Sequence, residues 1–261
     1  MLLKLIACEV MFREFCYCAA RTPSLVDFEF LSQGYHDNPE VGRQRLQERI
    51  DRTPAQRYDA LLLGYGLCNN LLSGLAARDT PLIIPRAHDC ITFFLGSRQR
   101  YQQLFAANPG TYYYTSGWLE HRQRGGERPA RQQAASLGAD RSFAEMVARY
   151  GDDNARYLLE FMNAWTKHYS RGVFVDFPFT AHLGHCQQAA AICQANGWAF
   201  ERVDGDLTLV QALLDGDWDE DRFQRVRPGQ RVRPCHDGRI LEIAPLRPDE
   251  APAAMAGGRG R

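Results

Sequence analysis

The feature that most narrows the fold is a set of short, unbroken apolar runs separated by amphipathic stretches. Leu2–Ala7 carries one lysine among aliphatic residues, Tyr58–Leu63 reads YDALLL, and Pro81–Pro85 reads PLIIP. Runs of this kind are strands buried on both faces, as in a parallel sheet covered by helices. Val26–Leu31 alternates apolar and polar, as a strand near an edge does. Between them, Met11–Ala20 predicts a helix that ends before Pro23. Asn38-Pro39-Glu40 gives a second helix its N-cap and its proline at the first position, running to about Arg52. Further helices are expected over Leu67–Ala77 and from Cys90 to about Ala107, the latter capped by Asp89. Right-handed crossovers then predict the strand order 2-1-3-4.

The alternation repeats after Ala107. Strands are expected at Thr111–Thr115, Gly172–Phe177 and Trp198–Val203, with helices over Ser142–Tyr169, Ala181–Asn196 and Leu207–Leu214. Gln230–Ile243 predicts a hairpin around Asp237-Gly238. Residues 121–141 are rich in Arg, Gln and Gly without apolar period and read as a surface insertion, and the tail 245–261 is expected to be disordered. The fold class is therefore α/β: two Rossmann-like lobes, residues 1–107 and 108–244, with mainly parallel sheets facing a cleft. One continuous mixed sheet flanked by helices is the alternative.

Lys+Arg and Asp+Glu balance at 31 each, so the molecule has no overall field to hold nucleic acid or an anionic membrane. No run approaches the ~20 apolar residues of a membrane span. The opening MLLKLIACEV lacks the h-region and cleavage site of a signal peptide, and a cytoplasmic protein is expected. The 8 cysteines are too sparse for a disulfide scaffold, so they are core residues or chemistry.

In an open α/β sheet, ligands bind beyond the carboxyl ends of the strands. Three such ends each deliver a cysteine: Cys8 with Glu9 beside it, Cys68 in GYGLCNN, and Cys90 in PRAHDC with His88 two residues earlier. Parallel neighbours lie ~4.8 Å apart, so loops leaving adjacent strands can bring these sulfurs to one ion. Cys8, Cys68, Cys90 and His88 are thus candidate metal ligands, a donor set that suits zinc or an iron–sulfur cluster. Asp89 is a candidate to orient His88, and a Cys90 thiol nucleophile with His88 as base is a lesser alternative. Gly64-Tyr65-Gly66 reads as a tight turn that lets backbone approach a ligand. Ser116-Gly117-Trp118 should face the same cleft, with Trp118 either a platform for a flat ligand or a core aromatic. Glu9 and Glu120 are candidate proton carriers. Cys16 and Cys18, two apart on a helix, point about 200° apart and cannot share an ion. His182, His185 and Cys186 at i, i+3 and i+4 form a minor candidate cluster on one predicted helical face.

GYGLCNNLLSGL, PLIIPRAHDCITFFLGS, TYYYTSGWLE and GDLTLVQALLDGDWDEDRF together resemble a prokaryotic family known as domain of unknown function 1638. The resemblance covers nearly all of residues 1–235, with RAHDCITFFLGS its most specific piece. It implies that Cys8, Cys68, His88, Asp89, Cys90, Gly117, Trp118 and Glu120 lie on family motif positions. It also implies an association with corrinoid-dependent methyl transfer. Some corrinoid-linked methyltransferases of a different fold hold zinc with a His-x-Cys pair and a distant Cys, which is similar to the set here. The resulting expectation is a metal-site enzyme of methyl-group or corrinoid metabolism. Zinc would be its metal, a small molecule would lie in its cleft, and a corrinoid or a corrinoid protein is a further candidate. A non-catalytic two-lobed binding or accessory protein and an iron–sulfur protein are the alternatives.

Overall fold

The computed structural model describes residues 1–36, 38–124, 169–235 and 237–246. The expected helix 142–169, apart from Tyr169, and the tail beyond Leu246 lie outside them, as does most of the Arg-rich insertion.

A five-stranded sheet carries the first lobe, with strand order β2-β1-β3-β4-β8. β1 (Leu2–Cys8), β2 (Leu25–Leu31), β3 (Ala60–Gly64) and β4 (Leu82–Pro85) are parallel, in the order the crossovers predict. Every residue of β3 and β4 is buried, whereas the edge strand β2 is half exposed. The one lysine of β1 is neutralised at its end: Lys4 Nζ sits 2.9 Å from Glu29 Oε2 and donates to Thr53 Oγ1.

α1 (Phe12–Ala19) and α2 (Pro39–Asp51) form where expected, with Asn38 Oδ1 accepting from Val41 N–H at 3.3 Å. Two expectations need correcting. Residues 67–77 form turns rather than a helix, because Cys68, Asn69 and Asn70 hold φ values of 41°, 55° and 65°, which no right-handed helix accommodates. The helix expected over Cys90–Ala107 is two, α3 (Ile91–Phe94) and α4 (Arg98–Ala107). Gly96 at φ 79° breaks it and Ser97 caps the second piece.

The second lobe is a three-stranded parallel sheet, β5 (Thr111–Tyr114), β6 (Arg171–Asp176) and β7 (Ala199–Asp204), in sequential order. α5 (Ser116–Arg124) follows β5 directly. α6 (His185–Ala195) packs on β6 and β7, and α7 (Thr208–Asp215) packs on α1. β8 (Phe223–Val226), unforeseen in the sequence, then adds to the first sheet antiparallel to β4. β9 (Gln230–Pro234) and β10 (Leu241–Pro245) form the expected hairpin. Leu209, Val210, Leu213, Leu214, Val226, Val232 and Leu241 belong to the first lobe's core, so the chain from about residue 207 returns to the lobe it began in. Arg86 locks that return, donating to the carbonyls of Glu220, Arg239 and Leu241 and to Gln224 Oε1.

Candidate functional site

All four parallel strands of the first sheet release their chains at one rim. β1 ends in Cys8 and turns at once into the 3-10 segment Glu9–Met11. β2 leads into a second 3-10 segment, Gln33–His36. The exits of β3 and β4 run side by side: Leu67 N–H donates to Ala87 O at 2.8 Å and Cys68 N–H to His88 O at 2.9 Å. Gly66 permits this contact, since a Cβ there would lie 2.7 Å from the Asp89 backbone. The left-handed run Cys68–Asn70 begins immediately after, a strained conformation that persists only where its surroundings enforce it.

The rim gathers the three expected cysteines, with Cys8 and Cys68 buried and Cys90 half-buried. Burial pushes all three thiols up, and they also act on one another: Cys90 raises Cys8, Cys8 raises Cys68, and Cys68 raises Cys90. Tyr65 forms part of the same cluster. It is buried, its hydroxyl has no hydrogen-bond partner among the described residues, and burial followed by Cys8 and Cys68 raises it far above the usual phenol value. Left to themselves these groups are neutral at physiological pH, so none is a poised nucleophile.

The imidazole beside the thiols is His36, with Nε2 3.4 Å from Cys8 Sγ. A sulfur and a nitrogen bound to one tetrahedral zinc ion stand about 3.5 Å apart, so this pair already has ligand spacing. The side chain of His88, the imidazole expected here, is exposed. Among the described residues no group of three or more His, Cys, Asp or Glu side chains is arranged to hold a metal ion. Cys68 and Cys90 would have to turn toward the Cys8–His36 pair to complete such a set.

The carboxylates hold structural partners. Asp89 Oδ1 accepts from Ile91 N–H at 3.0 Å and Oδ2 from Tyr101 O–H at 2.9 Å, so it closes the turn into α3, whose N-cap is Cys90 rather than the expected Asp89. Glu9 Oε1 accepts from Gln33 N–H at 2.8 Å, and Oε2 lies 3.4 Å from Nδ1 of the buried His121. Burial works to raise the Glu9 carboxyl, but His121 and the Gln33 N–H outweigh it and hold it below the usual range. Glu120 gives both oxygens to Arg13 at 2.6–3.1 Å, and this pairing keeps it low against burial. Both glutamates are thus charged braces between the lobes, whereas a general acid needs a near-neutral carboxyl.

The group of that kind was missed in the sequence. Glu14 is fully buried on α1, neither oxygen has a hydrogen-bond partner among the described residues, and burial raises its carboxyl to about 8. His36 carries a simpler signal absent from the cysteine pattern: it follows the exit of β2, a strand end like those of β1, β3 and β4.

The glycines expected to face a ligand face protein instead. A Cβ on Gly64 would lie 2.5 Å from that of Ala7, and one on Gly117 would lie 1.7 Å from the Val10 carbonyl oxygen. Ser116 is buried at the same seam. His182, His185 and Cys186 share no helical face, because Gly184 at φ 72° separates His182 from α6. Cys16 is exposed and Cys18 buried, so these two do not meet.

Trp118 lines a cavity of about 260 Å³ between the lobes. Val10, Asp89, Cys90 and Tyr101 form its first-lobe wall, and β5 with Trp118 and Tyr169 forms the other. A larger cavity of about 540 Å³ lies along β8 beside Arg86 and Trp218, and none of its lining residues belongs to the thiol cluster.

A family model described as protein of unknown function (DUF1638) matches residues 30–214. The chain belongs to the DUF1638 family. His36, Cys68, His88–Cys90 and Trp118 fall within the matched segment, and Cys8 and Glu9 precede it. No curated protein and no solved structure matches the chain.

Proposed function

We propose that this DUF1638 protein is a Cys/His metal-site enzyme acting on a small molecule held between its lobes. Cys8, Cys68 and Cys90 would supply thiolates and His36 the nitrogen. The observation that carries the reading is the Cys8–His36 contact at a rim to which two further strand exits bring Cys68 and Cys90, near enough for the thiols to raise one another. Crowded, desolvated thiols ionise readily only beside a cation, and a bound dication reverses the local penalty. Zinc there would supply a Lewis acid that lowers the pKa of a bound thiol. Methyl transfer to a thiol, within methyl-group or corrinoid metabolism, is the reaction class this chemistry serves. A reducing cytoplasm, which keeps thiols free, is the compartment the reading requires. Among the described residues no helix is long and apolar enough to cross a membrane.

Elemental analysis and an anaerobic visible spectrum test this, on protein made in zinc- and iron-supplied cells and purified without chelator. About one zinc per chain is expected, with affinity at least tenfold weaker in Cys68→Ser and His36→Ala; visible absorption with iron and sulfide would place a cluster on the same donors. Metal-free wild-type protein, or full occupancy in both variants, overturns the proposal.

A second reading, a non-catalytic binding protein with packing cysteines, draws on the lack of a ready-made three-residue metal group among the described residues. It expects Cys90→Ser to leave ligand affinity within a few-fold of wild type, where the metal reading expects a loss.

A further inference from the structure

Away from the thiol cluster, the cavity of about 540 Å³ along β8 is lined by three arginines, Arg86, Arg225 and Arg227. Its volume falls within the ~300–1,000 Å³ usual for small-molecule sites. None of the three pairs with a carboxylate among the described residues. Arg86 gives its hydrogen bonds to neutral acceptors alone: the carbonyls of Glu220, Arg239 and Leu241 at 2.9, 2.7 and 2.5 Å, and Gln224 Oε1 at 2.8 Å. Its charge is half-buried and uncancelled, and a charge in that position costs free energy until it is paired. Burial, then the nearby charges of Arg98 and Arg239, lower its pKa. By contrast Arg98, Arg222 and Arg239, which do not line the cavity, each pair with an aspartate.

Arg225 and Arg227 are exposed, so a guest can reach them. Glu220 is the one carboxylate among the described lining residues, so three guanidinia against one carboxylate leave an excess of two positive charges. The rest of the wall is apolar. Ile83 and Phe223 are buried there, and Ile243 of β10 is 40% exposed. Trp218 is fixed in place by donating from Nε1 to Leu213 O at 2.8 Å. The Arg225 guanidinium lies over its ring, 5.7 Å from the centroid. A guanidinium stacked by its face keeps its N–H edge for an oxyanion. Anion recognition and apolar contact therefore adjoin in one cavity.

We infer that this cavity is a second ligand site, and that it takes a phosphate monoester carried on an apolar body. The phosphate meets Arg225 and Arg227 in the field of Arg86, and the body lies against Phe223 and Ile243. Two negative charges on the ester match the excess on the wall. The site shares no residue with the thiol cluster and does not depend on the metal reading.

Calorimetric titration of the full chain at pH 7.5 with 1-naphthyl phosphate tests it, since a phosphate monoester with its second pKa near ~6 is a dianion there. The controls are 1-naphthoate with one charge, 1-naphthol with none, and inorganic phosphate with no apolar body. Naphthyl phosphate is expected to bind at one site at least about tenfold more tightly than any control. Arg225→Gln and Arg227→Gln should each weaken it roughly three- to tenfold, the worth of one charged contact at an exposed position. Arg57→Gln, which removes an exposed arginine paired with Asp27 at the opposite edge of the sheet, should change nothing. No binding of naphthyl phosphate, equal binding of any control, or unchanged affinity in folded Arg227→Gln overturns the inference. Arg227 lies beyond the end of β8 and carries the test if Arg225→Gln does not fold. A phosphate held by a metal at the thiol rim instead would bind both variants like wild type and follow the metal content of the samples, which also overturns the inference and leaves the metal reading standing.

Discussion

The two lobes bring opposite materials to the space between them. From the five-stranded sheet come sulfur, imidazole and carboxyl groups, on loops leaving its parallel strands, of which β3 and β4 are buried along their whole length. From the three-stranded sheet comes an edge strand of tyrosines, backed by a small core of Tyr114, Leu119, Phe174, Ala189, Cys193 and Trp198. Its far strand, β7, is mostly exposed. The larger core also holds the costly features: Glu14 buried without a partner, and the left-handed run at Cys68–Asn70. Among the described residues, the three-stranded lobe has no non-glycine residue at positive φ. Strained and desolvated groups survive where the surrounding packing overdetermines them, and a thin lobe cannot offer that. The strained and desolvated groups thus lie in one half and the aromatic wall in the other.

The seam between the lobes is the most sensitive point of this division. Gly117→Val pushes a side chain into the Val10 carbonyl and should cost about 3 kcal/mol or more. Thermal unfolding reads this directly, and an unchanged Tm would show that the seam has room to give. Glu14→Gln tests whether the first lobe really carries an uncompensated acid. The folded chain keeps the Glu14 proton up to about pH 8, whereas the unfolded chain loses it near 4.5. Stability is therefore highest below 4.5 with respect to this group, falls as pH rises through that window, and levels off above 8. The glutamine variant should remove that slope and gain up to about 3 kcal/mol at pH 7. Denaturant titrations at pH 5 and pH 8 measure it, and parallel wild-type and variant profiles would sink the assignment. Arg13→Met frees Glu120 and should cost about 1–2 kcal/mol, less at high salt because the pair is partly exposed. Smallest is Asn69→Gly, which relieves one left-handed residue and should stabilise by about 0.5–1 kcal/mol in the same titrations.

Much of this could be read from the chain because its cause is local. Unbroken runs such as YDALLL specify buried strands, and crossover handedness then orders them. Asn38-Pro39 starts α2 for reasons contained in those two residues. What escaped depends on contacts far along the chain. FQRV at 223–226 is too short to announce a strand, and only the open edge of β4 makes it one. The turns at 67–77 look helical by composition, with Asn-Asn the one hint of left-handed backbone. Gly96-Ser97, by contrast, is a legible stop and restart that was passed over. At the rim, the cysteines are legible because they sit at strand ends, and the exit of β2 marks His36 by the same rule. Glu14 was not legible at all: a helical glutamate reads as a solvated face until packing shows otherwise.

The pairing of β4 with β8 sets a timing problem for the growing chain. Arg86 and Gln224, which lock that edge, are 138 residues apart. At ~5–20 residues per second, a ribosome takes roughly seven to thirty seconds to supply the missing strand. Until then Leu82–Pro85 is a bare, wholly apolar border able to pair with any passing segment. Birth on the ribosome, more than the finished molecule's stability, is thus where this architecture is vulnerable. Moving residues 207–245 ahead of β1 by circular permutation would shorten the exposure and raise the soluble yield.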